Sequence, residues 1–246
     1  MNFKIIAFNI LIFLFSGKNC LCQELSIGGT AIYTHTNQRV KMKNSKEDFE
    51  NTDYSYTFSY EHFIKNSRIS VFASTTKFDG FTMIKFEEGT VIDVDGFSVV
   101  GDGFSGVKIR KYDLGVTYNL IKNYRRFYLK PFGGVGLQLS KIKDVDIFTY
   151  LFTANGPDYF QISPITVDKF KTSQFVPFLG FKTGFVFWKR LDIGFIFQGV
   201  YGFKSYQDMF FTYSYRGEPQ ETAVFEATGT GLFCTFNIGF RIFKQE

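Results

Sequence analysis

The 246-residue chain has little of what stabilises or arms many exported proteins: three cysteines, two histidines, five prolines and one tryptophan. Two of the cysteines, Cys20 and Cys22, lie in the opening stretch MNFKIIAFNILIFLFSGKNCLC. Lys4 gives that stretch a positive start and Ile5 to Phe15 an apolar run, the form of a secretory signal peptide over residues 1–22 cleaved before Gln23. Neither cysteine follows the small apolar residues of a lipoprotein acceptor site. Removal of the segment leaves Cys234 alone, which excludes an internal disulfide. It also takes away Lys4 and Lys18, so the formal charge falls from +5 to +3. A balance this small on an exported chain gives no reason to expect a nucleic-acid partner. Beyond residue 22 no window offers the ~20 apolar residues of a membrane-spanning helix.

What the chain does have is aromatic residues, 34 Phe and 14 Tyr, and a two-residue period. Its last stretch, GLFCTFNIGFRIFKQE, puts Leu232, Cys234, Phe236, Ile238, Phe240 and Ile242 on one face. Eleven positions of alternation exceed the usual soluble strand of about five or six residues. Seven further stretches alternate in the same way: 25–35, 54–64, 68–78, 111–121, 127–140, 174–188 and 191–203. Short basic turns, KNSR, KNYRR and WKR, join the second stretch to the third, the fourth to the fifth and the sixth to the seventh. The other connections are long: 35–53, 79–110, 141–173 and 204–226. Such alternation places every short turn and both termini at one end, the arrangement of a transmembrane barrel with periplasmic turns and extracellular loops. Unpaired backbone in hydrocarbon costs several kcal/mol per group, so the sheet must close. The fold class predicted is therefore all-β, an eight-stranded antiparallel transmembrane β-barrel with four long extracellular loops, occupying residues 23–246. A soluble lipocalin-like ligand-binding barrel is the alternative; it would need Lys and Glu on the second face, where glycines stand instead.

The signal peptide ending before Gln23, the strand YLKPFGGVGLQLS and the final NIGFRIF resemble the outer-membrane β-barrel domain family of Gram-negative bacteria. Architecturally the chain is similar to the small OmpA and OmpX barrels. The resemblance implies residence in the cell outer membrane, insertion by the barrel-assembly machinery, and contact with outer-membrane lipid and lipopolysaccharide. In the family the final strand usually ends on an aromatic residue; here Lys244, Gln245 and Glu246 follow Phe243.

Parity assigns the mid-strand charges Glu24, Glu61, Asp113, Lys130, Lys182, Asp192 and Arg241 to a polar, charged lumen. Of these, Glu24, Glu61, Lys130, Asp192 and Arg241 fall in the periplasmic third, with Lys182 just above. Arg241 is within reach of Glu24 or Asp192, because the last strand neighbours the first and seventh. We expect Glu24, Glu61, Lys130, Lys182, Asp192 and Arg241 to form a lumen ion network. No catalytic or cofactor-binding set is identified. Hydrolysis or acyl transfer generally needs a His near a Ser with a carboxylate, and neither His35 nor His62 stands in such a pattern. No metal site is expected either; the acids of DVDGFSVVGDG, Asp93, Asp95 and Asp102, lack the terminal Glu of a calcium loop. The segment 208–227 reads as a hairpin above the membrane, turning near Arg216 and Gly217, where strand edges could receive a surface protein partner. The turn cations Lys65, Arg68, Lys122, Arg125, Arg126, Lys189 and Arg190 suit lipid phosphates of the inner leaflet. Tyr54, Tyr112, Tyr118, Tyr124 and Trp188 stand near strand ends, as interfacial rings do. The expected role is that of a non-enzymatic, monomeric surface protein; a narrow channel for ions or a small apolar solute is the alternative.

Overall fold

The computed structural model describes residues 23–41, 45–46, 49–64, 67–82, 85–86, 104–121, 126–142, 160–188, 190–215 and 219–242. The expected signal peptide over residues 1–22, the acidic stretch 93–102 and the turn at 216–217 lie outside these residues, as do Lys65, Lys122, Tyr124, Arg125 and Lys189. Twelve strands are present among the described residues: β1 (Gln23–Val40), β2 (Ser45–Lys46), β3 (Phe49–Phe63), β4 (Ile69–Thr82), β5 (Lys85–Phe86), β6 (Phe104–Tyr118), β7 (Phe127–Ile142), β8 (Phe160–Lys169), β9 (Ser173–Phe187), β10 (Leu191–Val200), β11 (Gln207–Tyr215) and β12 (Glu221–Arg241). Eight of them form a ring in the order β1-β3-β4-β6-β7-β9-β10-β12, closed by pairing of β1 with β12 and antiparallel throughout.

Closure fixes the geometry. Starting at Glu24 and stepping across paired residues Glu61, Phe72, Gly115, Gly134, Phe178, Val200 and Gly231, the path returns to β1 at Thr34, ten residues above its start. At ~3.3 Å per residue and ~4.8 Å between strands, that stagger over eight strands tilts them by about 40°. Each residue then climbs ~2.5 Å along the axis, so ten residues span the ~25 Å apolar band of a membrane barrel.

Side chains sort by this wall. Leu25, Ile27, Tyr56, Phe58, Leu114, Val135, Leu179, Phe195, Phe236 and Ile238 point outward and are exposed, whereas Thr30, Thr57, Thr117, Lys130, Lys182 and Asn237 point inward and are buried. A belt of exposed Phe, Leu, Ile, Val and Tyr of this extent is intolerable in water and suited to hydrocarbon. The prolines fit because of where neighbouring strands stop. Pro131 faces Tyr118, the last residue of β6, and Pro177 faces Tyr201, one residue past β10, so the missing N–H of each falls where a neighbour's ladder ends. Pro164 sits at a register shift in β8.

The strands run further than their alternation suggested, and for a physical reason. β6 begins at Phe104 rather than 111, and β12 at Glu221. Above the apolar belt the outside is water, so the phase of the pattern inverts. On β6, Lys108 and Arg110 face out while Val107 and Ile109 are buried inside. β12 changes one of its partners within a single sheet. Its lower part lies between β1 and β10; its upper part, Glu221–Ala227, lies between β1 and β11, which pairs with β8. The change occurs at a bulge between Ala227 and Gly231, where Gly229 adopts φ 79°. A side chain at that glycine would collide with Gln138. The hairpin expected over 208–227 is thus β11 with the top of β12, while β8 emerges from a stretch expected to be loop.

Candidate functional site

Among the described residues the lumen gathers most of the buried charges, Asp208 of β11 being outside it, and it is layered. At its periplasmic floor, Lys130 Nζ lies 2.7 Å from Glu61 Oε1, and Lys182 Nζ lies 2.7 Å from Glu24 Oε1 and 3.3 Å from Glu61 Oε2. Arg241 completes the set, 3.1 Å from Glu24 Oε2 and 3.5 Å from Asp192 Oδ2. The six residues singled out by parity therefore form one connected group drawn from β1, β3, β7, β9, β10 and β12. Glu61 is its hub: its Oε1 also accepts hydrogen bonds from Ser70 (2.5 Å) and Thr117 (3.2 Å). Two aromatic residues that sequence reasoning missed complete the floor. Tyr128 donates to Asp192 at 2.6 Å and lies under Lys130 and Lys182, 5.0 and 5.5 Å from its ring. Phe63, at the lower end of β3, packs against Lys130 and Arg241 at 4.4 and 5.2 Å. Both have lumen parity, but neither carries a charge to mark it.

Glycine makes room for Tyr128. Gly184 and Gly194 face each other across β9 and β10, and a Cβ on either would stand 2.6 or 2.5 Å from the tyrosine hydroxyl. Only a bare backbone lets the phenol reach Asp192.

Above the floor is a cavity of about 40 Å³, large enough for a few waters. Phe72, Phe132 and Ile196 contribute an apolar side and Thr57, Ser59, Thr76 and Thr235 a hydroxyl side. Thr235, Thr30, Thr57 and Thr76 are hydrogen-bonded in series across four strands at 2.9, 2.7 and 2.8 Å. At its roof Lys111, fully buried, pairs with Asp113 at 2.6 Å and donates to Gln198 at 2.8 Å. Asp113 was expected in the lumen; Lys111 was not, because the alternation of its strand starts there. Counting both levels, Glu24, Glu61, Asp113 and Asp192 balance Lys111, Lys130, Lys182 and Arg241.

The upper lumen corrects the expectation of a polar interior. Ile32, Phe78, Val107, Ile109, Val176, Phe178, Val200, Tyr206, Ala227 and Phe233 pack there into one apolar plug. Phe78 meets Phe233 edge-on at 5.4 Å, and Lys111 Nζ lies 4.4 Å from the Phe233 ring centroid. Val107 and Ile109 turn inward above the hydrocarbon, where the strands' outer face is wet; Phe178 and Phe233, flanked by exposed Leu179 and Leu232, are inward within the belt itself. Burial pushes the Tyr206 phenol above its ordinary range, keeping it neutral. Gln174 and Gln138 fasten the top: Gln174 donates to Gln138 Oε1 and to the Thr228 carbonyl, and Gln138 donates to the Gly229 carbonyl.

The remaining sequence candidates stay apart from this site. His62 faces outward at the foot of β3 with Nδ1 3.2 Å from the Tyr60 hydroxyl, and His35 lies far above it on β1. Arg68, Arg126 and Arg190 are exposed at the short-turn end, with Trp188 beside them in the β9–β10 turn at φ 47°. Tyr54 and Tyr118 are exposed, Tyr112 half-buried.

A closed antiparallel ring of eight strands, apolar outside and ion-paired inside, with short turns and both described ends of the chain on one rim, is a membrane-spanning β-barrel of the outer-membrane type. No protein-family model and no curated protein matches the chain. Among solved structures it is similar to a major outer membrane protein from Thermus thermophilus (11% identity, TM-score 0.48, covering 90% of this chain and 99% of that one). It is also similar to the outer membrane protein OprG from Pseudomonas aeruginosa (10%, 0.45, 93% and 99%) and to Ail, the attachment invasion locus protein of Yersinia pestis (11%, 0.43, 90% and 99%).

Proposed function

We propose that this protein is a non-enzymatic barrel of the outer membrane, anchored by its eight-stranded body and active through its extracellular sheet. The observation that carries the reading is the closed lumen. A floor of ion pairs, a roof pair of Lys111 and Asp113, and an apolar plug stand in series along the axis. With four acids matched to four bases, the interior keeps no net charge to draw ions through. Function is then left to the part that projects: β8, β11 and the upper part of β12, where β8 is the last strand of the sheet among the described residues and offers an edge for a partner strand. The two histidines support the non-enzymatic reading, because neither faces the lumen hydroxyls.

The alternative, a narrow channel for ions or a small apolar solute, requires floor and plug to open together. Purified protein in planar bilayers separates the two. The sealed reading expects no steady conductance from the intact barrel, and none after Arg241→Met, since the plug remains. Stable conductance steps from the unaltered protein would favour the channel.

A further inference from the structure

The outer wall carries a second concentration of charge, of one sign. On the arc β4-β6-β7, directly paired residues place Lys77 beside Arg110, and Lys108 beside Lys141. Lys171 stands next to Lys141 across the β7–β9 seam, two residues beyond the Leu139–Ser173 pair. All five have outward parity; Lys77, Arg110, Lys141 and Lys171 are exposed and Lys108 half-buried. Like charges directly opposite on a sheet repel, so two such pairs side by side need a partner. The structure does not supply one internally: among the described residues no carboxylate lies within ion-pair distance of any of the five. Asp79, paired with Lys108, is the acid in this row. Asp113 faces the lumen and is held by Lys111.

Height decides what the partner is. Lys77 lies eight residues above Ile69 at the foot of β4, a rise of about 20 Å, and Arg110, Lys108, Lys141 and Lys171 climb from there across the upper edge of the ~25 Å belt and into the region above it. Directly below them on the same strands lie Leu114, Val135, Phe175 and Leu179, all exposed. Tyr112 marks the boundary, its hydroxyl accepting from Arg110 at 3.4 Å. On the opposite arc, the described outward residues at this height are Tyr33, His35, Tyr54, Tyr201, Phe203 and Leu232, and the exposed cation there is Lys204, next to Phe203. An anion that seats here must also place hydrocarbon against the wall beneath.

We infer that this face of β4, β6, β7 and β9 binds the phosphorylated headgroup of an outer-leaflet lipid, with its acyl chains along Leu114, Phe175 and Leu179. Guanidinium and ammonium groups at a membrane surface attract phosphate in this way, the long Lys stems reaching up to the headgroup plane. The site is independent of the lumen and of the extracellular sheet.

The test uses the full barrel in phosphatidylcholine nanodiscs doped with bisphosphorylated lipid A, with co-purifying lipid measured by native mass spectrometry. The unaltered protein is expected to retain lipid A over its dephosphorylated form, and millimolar inorganic phosphate is not expected to displace it. Substituting Lys77, Lys108, Arg110, Lys141 and Lys171 together by Gln should lower retention about tenfold or more. Gln at Arg68, Arg126 and Arg190 should leave it unchanged, each variant first passing a heat-modifiable gel-mobility check for folding. Equal retention of the dephosphorylated lipid by the unaltered protein would overturn the proposal without recourse to any variant. So would displacement by free phosphate, or loss of retention from the short-turn substitutions alone.

Discussion

Glu61→Leu is expected to destabilise the barrel by ~3–5 kcal/mol, read as a lowered urea midpoint for loss of the compact gel band in lipid vesicles. The size follows from what the carboxylate holds. Its two oxygens receive Lys130, Lys182, Ser70 and Thr117. Deleting it leaves two buried ammonium groups, one with no remaining carboxylate and the other sharing Glu24 with Arg241. A buried charge without its partner costs more than the pair contributes, because desolvation is no longer offset. Adding Lys130→Met to Glu61→Leu should therefore recover part of the loss, a positive coupling in a double-mutant cycle. A change within about 0.5 kcal/mol for the single substitution would mean that the floor is not a mutually dependent set.

The second large effect concerns the opposite face of the wall. Leu179 is 75% exposed and lies near mid-height on β9. Leu179→Arg should cost ~2–4 kcal/mol in vesicles, the range for a guanidinium at the midplane of a lipid-facing strand. Leu179→Ala, which adds no charge, should cost clearly less. The pair of substitutions separates hydrocarbon from water as the outer solvent. On a water-exposed sheet face Arg would be tolerated and would raise solubility. A neutral Leu179→Arg, with the altered protein still barrel-like by gel mobility, would contradict the membrane reading.

The lower half of the barrel was legible in the sequence because one rule governs it. Where lipid surrounds the wall, apolar residues face out and polar ones in, so parity alone carries Glu24, Glu61, Lys130, Lys182, Asp192 and Arg241 to a common interior. Chain direction gives their similar depth. The upper half was obscure because the same rule reverses where lipid gives way to water. Val107 and Ile109 belong to the plug, while Lys108 and Arg110 face out, and a pattern read in one phase breaks at that height. Lys111 fell at the break, as the first residue of the alternating stretch 111–121, and so was given no place in the lumen. The exchange of β10 for β11 as the partner of β12 was also hidden, since it depends on a bulge around Gly229 fastened by Gln138 from β7, a long-range contact with no local signature.

One measurement tests the central claim most directly: which ring of side chains touches lipid. In a Trp188→Phe background, tryptophan is placed singly by Phe236→Trp or Phe233→Trp, and the folded protein is reconstituted in vesicles containing brominated phosphatidylcholine. Phe236 is 45% exposed on the outer face and Phe233 lies in the plug. Strong bromine quenching for the Phe236 variant with little for the Phe233 variant is the expected result. The reverse order, or no quenching in either, would contradict it.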